Sequence, residues 1–126
     1  MFRDDFVWGV ASSSYQVEGR DAQDGAGKCI WDVFAGEGRV WNNQNADVAC
    51  DHIHRYREDI AMMRLLGVKA YRFSLSWARI IPEGTGKVNE KAVALYRGMM
   101  HCMIENGIVP YITMYHWELP QALQEK

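Results

Sequence analysis

Three places in the sequence carry side chains that could do chemistry. The first is Arg72, inside the run Ala70-Tyr71-Arg72-Phe73-Ser74-Leu75-Ser76-Trp77. Read as a strand, its alternation puts Tyr71, Phe73, Leu75 and Trp77 on one face and Ala70, Arg72, Ser74 and Ser76 on the other. A strand of a parallel sheet is normally covered on both faces. A guanidinium there keeps its proton, and burying it unpaired is costly. Arg72 therefore faces a carboxylate or opens into a polar site. One reading is a structural ion pair; the other is a group that holds and tunes a catalytic carboxylate. The second place is Tyr115-His116-Trp117-Glu118, at the carboxyl end of another strand-like run, where open α/β sheets and barrels bind their ligands. An imidazole can hydrogen-bond hydroxyls, and an indole offers an apolar face with one N–H donor. Such a pair can equally be core. The third is Gln16 in Tyr15-Gln16-Val17-Glu18-Gly19. Its primary amide donates and accepts at once, which suits a vicinal diol, although a loop glutamine is commonly just solvated.

The elements that must position these groups follow from periodicity. Residues 6 to 13 read as a short buried strand running into a loop. The glycine-rich stretch 14 to 50 reads as long and irregular, with a helical turn around Trp31-Asp32-Val33-Phe34. Its apolar residues Ile30, Trp31, Val33 and Phe34 mark it as ordered. Ile53, Tyr56, Ile60 and Met63 step by three and four, the spacing of one helix face. Asp51 is placed to cap that helix and Gly67 to stop it. Val68 to Trp77 reads as a strand. Asn89 can cap a second helix with apolar face Ala92, Leu95, Tyr96, Met99 and Met103, and Gly107 ends it. Val109 to Tyr115 is the next strand.

The two halves echo each other. Leu66-Gly67-Val68-Lys69-Ala70-Tyr71 aligns with Asn106-Gly107-Ile108-Val109-Pro110-Tyr111. Strand and helix alternating with such a repeat imply parallel βαβ units. A GxGxxG loop after the first strand is absent, which weakens a dinucleotide-binding sheet. A barrel of eight such units needs about 250 residues, and three strands of eight leave two open edges. With 126 residues, the pattern implies either a small open sheet or a fragment.

Composition removes several function classes. Net charge is −2 and charged residues make up 24%, so nothing points to nucleic acid or an anionic membrane. No apolar run is long enough to span a bilayer, and the charged start lacks the apolar stretch of a signal peptide. Cys29, Cys50 and Cys102 are odd in number and form no CxxC pair, which suits free thiols in the cytoplasm. His52 and His54 diverge on a helix, so no metal site is expected. Glu58 and Asp59 read as a solvated helix face.

Beyond these readings, Phe6-Val7-Trp8-Gly9-Val10-Ala11, Tyr15-Gln16-Val17-Glu18-Gly19, Ile30-Trp31-Asp32, Asp47-Val48-Ala49-Cys50-Asp51-His52, His54-Arg55-Tyr56, Tyr71-Arg72-Phe73-Ser74 and Tyr115-His116-Trp117 together resemble glycoside hydrolase family 1, in order and nearly end to end. The resemblance implies an α/β fold: the N-terminal portion, about three βα elements, of one (β/α)8 TIM barrel domain filling residues 1–126, the remainder of the barrel being absent. It implies hydrolysis of terminal non-reducing β-D-glucosyl residues with retention once that remainder is present. It assigns Gln16, His116 and Trp117 to the pocket of the non-reducing sugar, and places Arg72 beside the nucleophile. A retaining enzyme needs two carboxyl groups about 5–5.5 Å apart. The family takes them from an Asn-Glu-Pro motif and a later Glu-Asn-Gly motif. The first string is absent here, and Glu105-Asn106-Gly107 stands at a helix end before the Tyr-His-Trp motif, so no catalytic carboxylate, metal or cofactor is assigned. The expected partners are a β-glucoside or β-linked oligosaccharide and the rest of the barrel. The main rival is a 6-phospho-β-glucosidase. Those enzymes often carry Asn and Tyr where Tyr15 and Trp117 stand, which favours plain glucosides. Two further rivals are a non-catalytic sugar-binding module and a barrel-completing fragment.

Overall fold

The structure, a computed structural model, describes residues 1–21 and 23–124. In chain order the elements are β1 (Gly9–Ala11), α1 (Ser14–Val17), α2 (Ile30–Gly36), a 3-10 turn (Trp41–Asn43), α3 (His52–Leu65), β2 (Ala70–Ser74), α4 (Trp77–Ile80), α5 (Glu90–Glu105), β3 (Val109–Thr113) and α6 (Gln121–Gln124). The three strands form one parallel sheet in the order β1-β2-β3. In register, Val10 pairs with Tyr71 and Ala11 with Arg72, while Arg72 pairs with Tyr111 and Ser74 with Thr113. β1 and β3 are both edges, as expected for a sheet of this size.

The core lies on one side of β2. Tyr71 and Phe73 project from it onto Ile53 and Ile60 of α3 and onto Tyr96, Met99, Cys102 and Met103 of α5, with Ile108 closing the end. These are the positions that the period of three and four selects. Their packing, rather than helix propensity, stabilises both helices. α3 stops at Leu66 and Gly67, whose φ of +78° suits glycine, and the chain enters β2 three residues later at Ala70. α5 begins as predicted. The Asn89 side chain accepts from the Lys91 backbone N–H at 3.2 Å, and its amide donates to the carbonyls of Asp24 and Arg79.

Several expectations need correction. Residues 6 to 13 form only a three-residue strand, and it is exposed rather than buried. Among the described residues it pairs with β2 alone. Gly9 is required there, because a Cβ would stand 2.9 Å from the Ala70 carbonyl oxygen. β2 ends at Ser74, because Trp77 begins α4 and donates its indole N–H to the Gly84 carbonyl at 3.1 Å. β3 likewise ends at Thr113. Asp51 precedes α3 but does not cap it. It lies in the left-handed region at φ +55°, and its carboxylate accepts from His54 at 2.6 Å and Arg55 at 3.2 Å instead. Asp59 is not simply solvated, since it pairs at 2.6 Å with Nδ1 of the buried His52. Trp31 and Phe34 are ordered in α2 but 40% and 37% exposed. Cys29, Cys50 and Cys102 are free thiols.

Candidate functional site

The carboxyl ends of the three strands meet in one buried hydrogen-bonded knot. After β1 the chain turns through Ser13 and Ser14 into α1. The Ser14 backbone N–H donates to Ser74 Oγ at the end of β2, at 2.8 Å, and the two serine hydroxyls lie 3.1 Å apart. Ser14 Oγ also donates to Glu118, which follows β3, and the Tyr15 N–H donates to the same carboxylate at 3.2 Å. Ser13 offers no side-chain cap to α1, so these tertiary acceptors satisfy two of the amide donors that a helix start leaves open. Glu118 is 3% exposed. Burial pushes its carboxyl above the usual range, with the Ser14 hydroxyl pulling the other way.

A second knot lies beside the first. Glu18 accepts from Tyr96 Oη at 2.8 and 3.1 Å and from Arg79 Nε at 3.2 Å. Arg79 also donates to the Gly19 carbonyl at 2.7 Å and to Asp24. Tyr96 Oη accepts the Ser76 N–H at 2.9 Å. Burial drives the Glu18 carboxyl up to about 7, against the pull of Arg79 and Tyr96. A cavity of about 30 Å³ separates the knots, lined among others by Ser14, Glu18, Arg79 and Glu118.

The first knot brings together all three segments picked out in the sequence, the Arg72 strand through Ser74. Gln16 is exposed on α1, one residue after Tyr15. His116 and Trp117 immediately precede Glu118. Trp117 is 71% exposed and holds φ +70°, unusual for a bulky residue. Its carbonyl accepts the Trp31 indole N–H at 2.8 Å. Tyr115 stands edge-on to Trp77 at 6.1 Å and tilted to Trp117 at 6.4 Å. His116 Nδ1 is buried with no partner among the described residues. Arg72 is placed differently from the expectation. It is exposed on the sheet face that no helix covers, and among the described residues its side chain has neither hydrogen bond nor ion pair. Glu105, at the last position of α5, is exposed and leads into β3 from its amino end, through a C-cap at Asn106 and Gly107 at φ +71°. Among the described residues no cluster of three or more His, Cys, Asp or Glu is arranged to hold a metal ion.

Nothing in the sequence alone points directly to a role at the site for Glu118, Ser14, Ser74 or Arg79, or for Tyr96 beyond its place on a helix face; all five are buried. The available signal was indirect: a helix start with no local cap, and an acid beside the aromatic end of a strand.

Residues 1–126 match glycosyl hydrolase family 1 along their full length. The chain belongs to this family. It is 52% identical over 126 residues to β-glucosidase A of Acetivibrio thermocellus, covering 99% of this chain and 28% of that protein. The family 1 β-glucosidase of Thermotoga maritima superposes with a TM-score of 0.94 at 53% identity, covering 98% of this chain and 28% of that one. The same Thermotoga enzyme in complex with deoxynojirimycin superposes equally well. These structural neighbours are TIM barrels, and this chain has the corresponding parallel α/β sheet. Relative to them it is an N-terminal fragment, spanning little more than a quarter of their length.

Proposed function

We propose that this family 1 chain supplies the first βα elements of a single (β/α)8 domain that removes terminal non-reducing β-D-glucosyl residues with retention. Gln16, His116 and Trp117 form its share of the sugar pocket. The observation that carries this reading is the knot at Glu118, which joins the Gln16 and His116–Trp117 segments at the carboxyl ends of a parallel sheet, where barrels bind ligands. Names of relatives support a glucoside over a 6-phosphoglucoside: they are β-glucosidases, and the Thermotoga neighbour binds deoxynojirimycin. Arg72, free on the uncovered face, then points to the barrel interior beside a nucleophile supplied by the remainder. Glu105 lies at the wrong end of β3 for either catalytic role, so the chain alone is inactive. The exposed Tyr111, Ile112 and Met114 of an open sheet make it poorly soluble without that remainder. Three free thiols fit a reducing cytoplasm. No helix among the described residues is long and apolar enough to cross a membrane.

The test uses two proteins: the 126-residue chain, and a chimera in which it replaces the matching segment of the Thermotoga maritima enzyme. The chimera is expected to hydrolyse a chromogenic β-glucoside and the chain to show no turnover. Turnover by the chain at its intact mass, or a folded but silent chimera, would overturn the reading.

A further inference from the structure

Gln16 and Trp117 stand 101 positions apart in sequence numbering, yet a sugar pocket built from both needs their spacing held to a fraction of an ångström. Neither residue fixes its own position. α1 has four residues and no side-chain cap of its own, and a helix that short is not stable by itself. Trp117 sits at φ +70°, a backbone conformation that persists only where its surroundings impose it.

Resting on the β-glucosidase reading, we infer that Glu118 is a positioning residue that sets the sugar pocket. Its carboxylate joins the amino end of α1 to the turn that carries Trp117. One oxygen accepts the Tyr15 N–H, the residue before Gln16, at 3.2 Å, and the other accepts Ser14 Oγ. Ser14 is in turn tied to Ser74 of β2. On the other side, Glu118 is bonded to Trp117, whose carbonyl is held by Trp31 Nε1 at 2.8 Å. The carboxylate is thus the one side chain among the described residues hydrogen-bonded to the start of α1 while covalently next to Trp117. A buried group accepting from two donors resists displacement, because moving it strands both. Glutamine at 118 can keep both contacts, its carbonyl accepting the Tyr15 N–H and its amide donating to the Ser14 hydroxyl, whereas methionine keeps a similar length and volume and removes both strong acceptors.

The experiment compares the chimera described above with its Glu118→Met and Ser14→Ala variants. Deoxynojirimycin affinity is read by calorimetry, and KM and kcat on an aryl β-glucoside. Glu118→Met is expected to weaken deoxynojirimycin about tenfold or more and to raise KM more than it lowers kcat. Ser14→Ala, a smaller change that leaves Glu118 and the Tyr15 bond in place, should move both in the same direction by a few-fold. It carries the test if Glu118→Met fails to fold. Folded variants with unchanged affinity and KM would overturn the positioning role while leaving the family reading intact. An unmodified chimera that folds but neither binds deoxynojirimycin nor turns over would overturn the β-glucosidase reading, and the role of Glu118 with it.

Discussion

β2 has one face finished within this chain and one left open, and the contrast is sharper than its sequence suggests. On the helix side Tyr71 and Phe73 are 2% and 4% exposed, packed against α3 and α5. On the other side Arg72 is exposed, and its register partner Tyr111 on β3 is 56% exposed. Arg72 sits between Tyr71 and Phe73 on the same five-residue strand, with Ala70 and Ser74, which share its side, buried at the strand's two ends. On the Tyr71 and Phe73 side, β2 is covered by the helix that precedes it and the helix that follows it, contacts local in sequence. The inside is covered only by strands across a barrel, which belong to distant parts of a longer chain. A fragment of such a fold therefore keeps its outer layer and loses its inner one.

Substitutions should tell the two faces apart. The largest loss of stability is expected from Phe73→Ala, which removes a buried ring from the finished face. It should cost about 3–5 kcal/mol in urea unfolding of the 126-residue chain, while Tyr111→Ala on the open face should cost less than about 1 kcal/mol. Equal losses would mean that the open face is already packed in solution.

The next effect is pH dependence at the rim of the finished face. Glu18 has its pKa raised by burial from 4.5 to about 7, so the folded state binds this proton more tightly than the unfolded chain does. The associated stability is fully present below about pH 4.5 and is lost as pH rises through about 7. Its upper bound is about 3 kcal/mol, the opposing pulls of Arg79 and Tyr96 being already contained in the net shift. Unfolding midpoints are expected to fall between pH 5 and pH 8, and Glu18→Gln should flatten that slope. A midpoint that rises over this window would show that the Arg79 pair outweighs burial.

The smallest change in stability belongs to the open face. Arg72→Met should alter the stability of the isolated chain by no more than about 0.5 kcal/mol. In the chimera the same substitution is expected to lower kcat/KM about 100-fold. A large destabilisation of the isolated chain would instead assign Arg72 a structural ion pair.

Much of this was legible in the residues. The three-and-four spacing of α3 and α5, the stops at Gly67 and Gly107, the cap at Asn89 and the parallel repeat are all encoded locally, within a few residues of where they act. The strand boundaries were overextended because Trp77 and Tyr115 continue an alternating, aromatic pattern after the backbone has turned away. Pattern reports which residues are apolar, not which hydrogen bonds close. Asp51 was misjudged for a similar reason: its position before α3 is local, but its left-handed backbone turns the carboxylate to His54 and Arg55.

The sequence by itself determined the helix faces, the order of strands and the presence of Gln16, Arg72, His116 and Trp117 in segments that end strands or lie on them. Only the tertiary structure decided that Arg72 stands free, that Glu118 and Ser14 tie the ends of three strands together, and that Glu18 is buried against Arg79 and Tyr96. The physical reason is range. Periodicity and capping act over one or two turns of chain. A buried carboxylate takes its partners from whatever residues the fold brings to it, and here those partners lie 61 to 104 positions away.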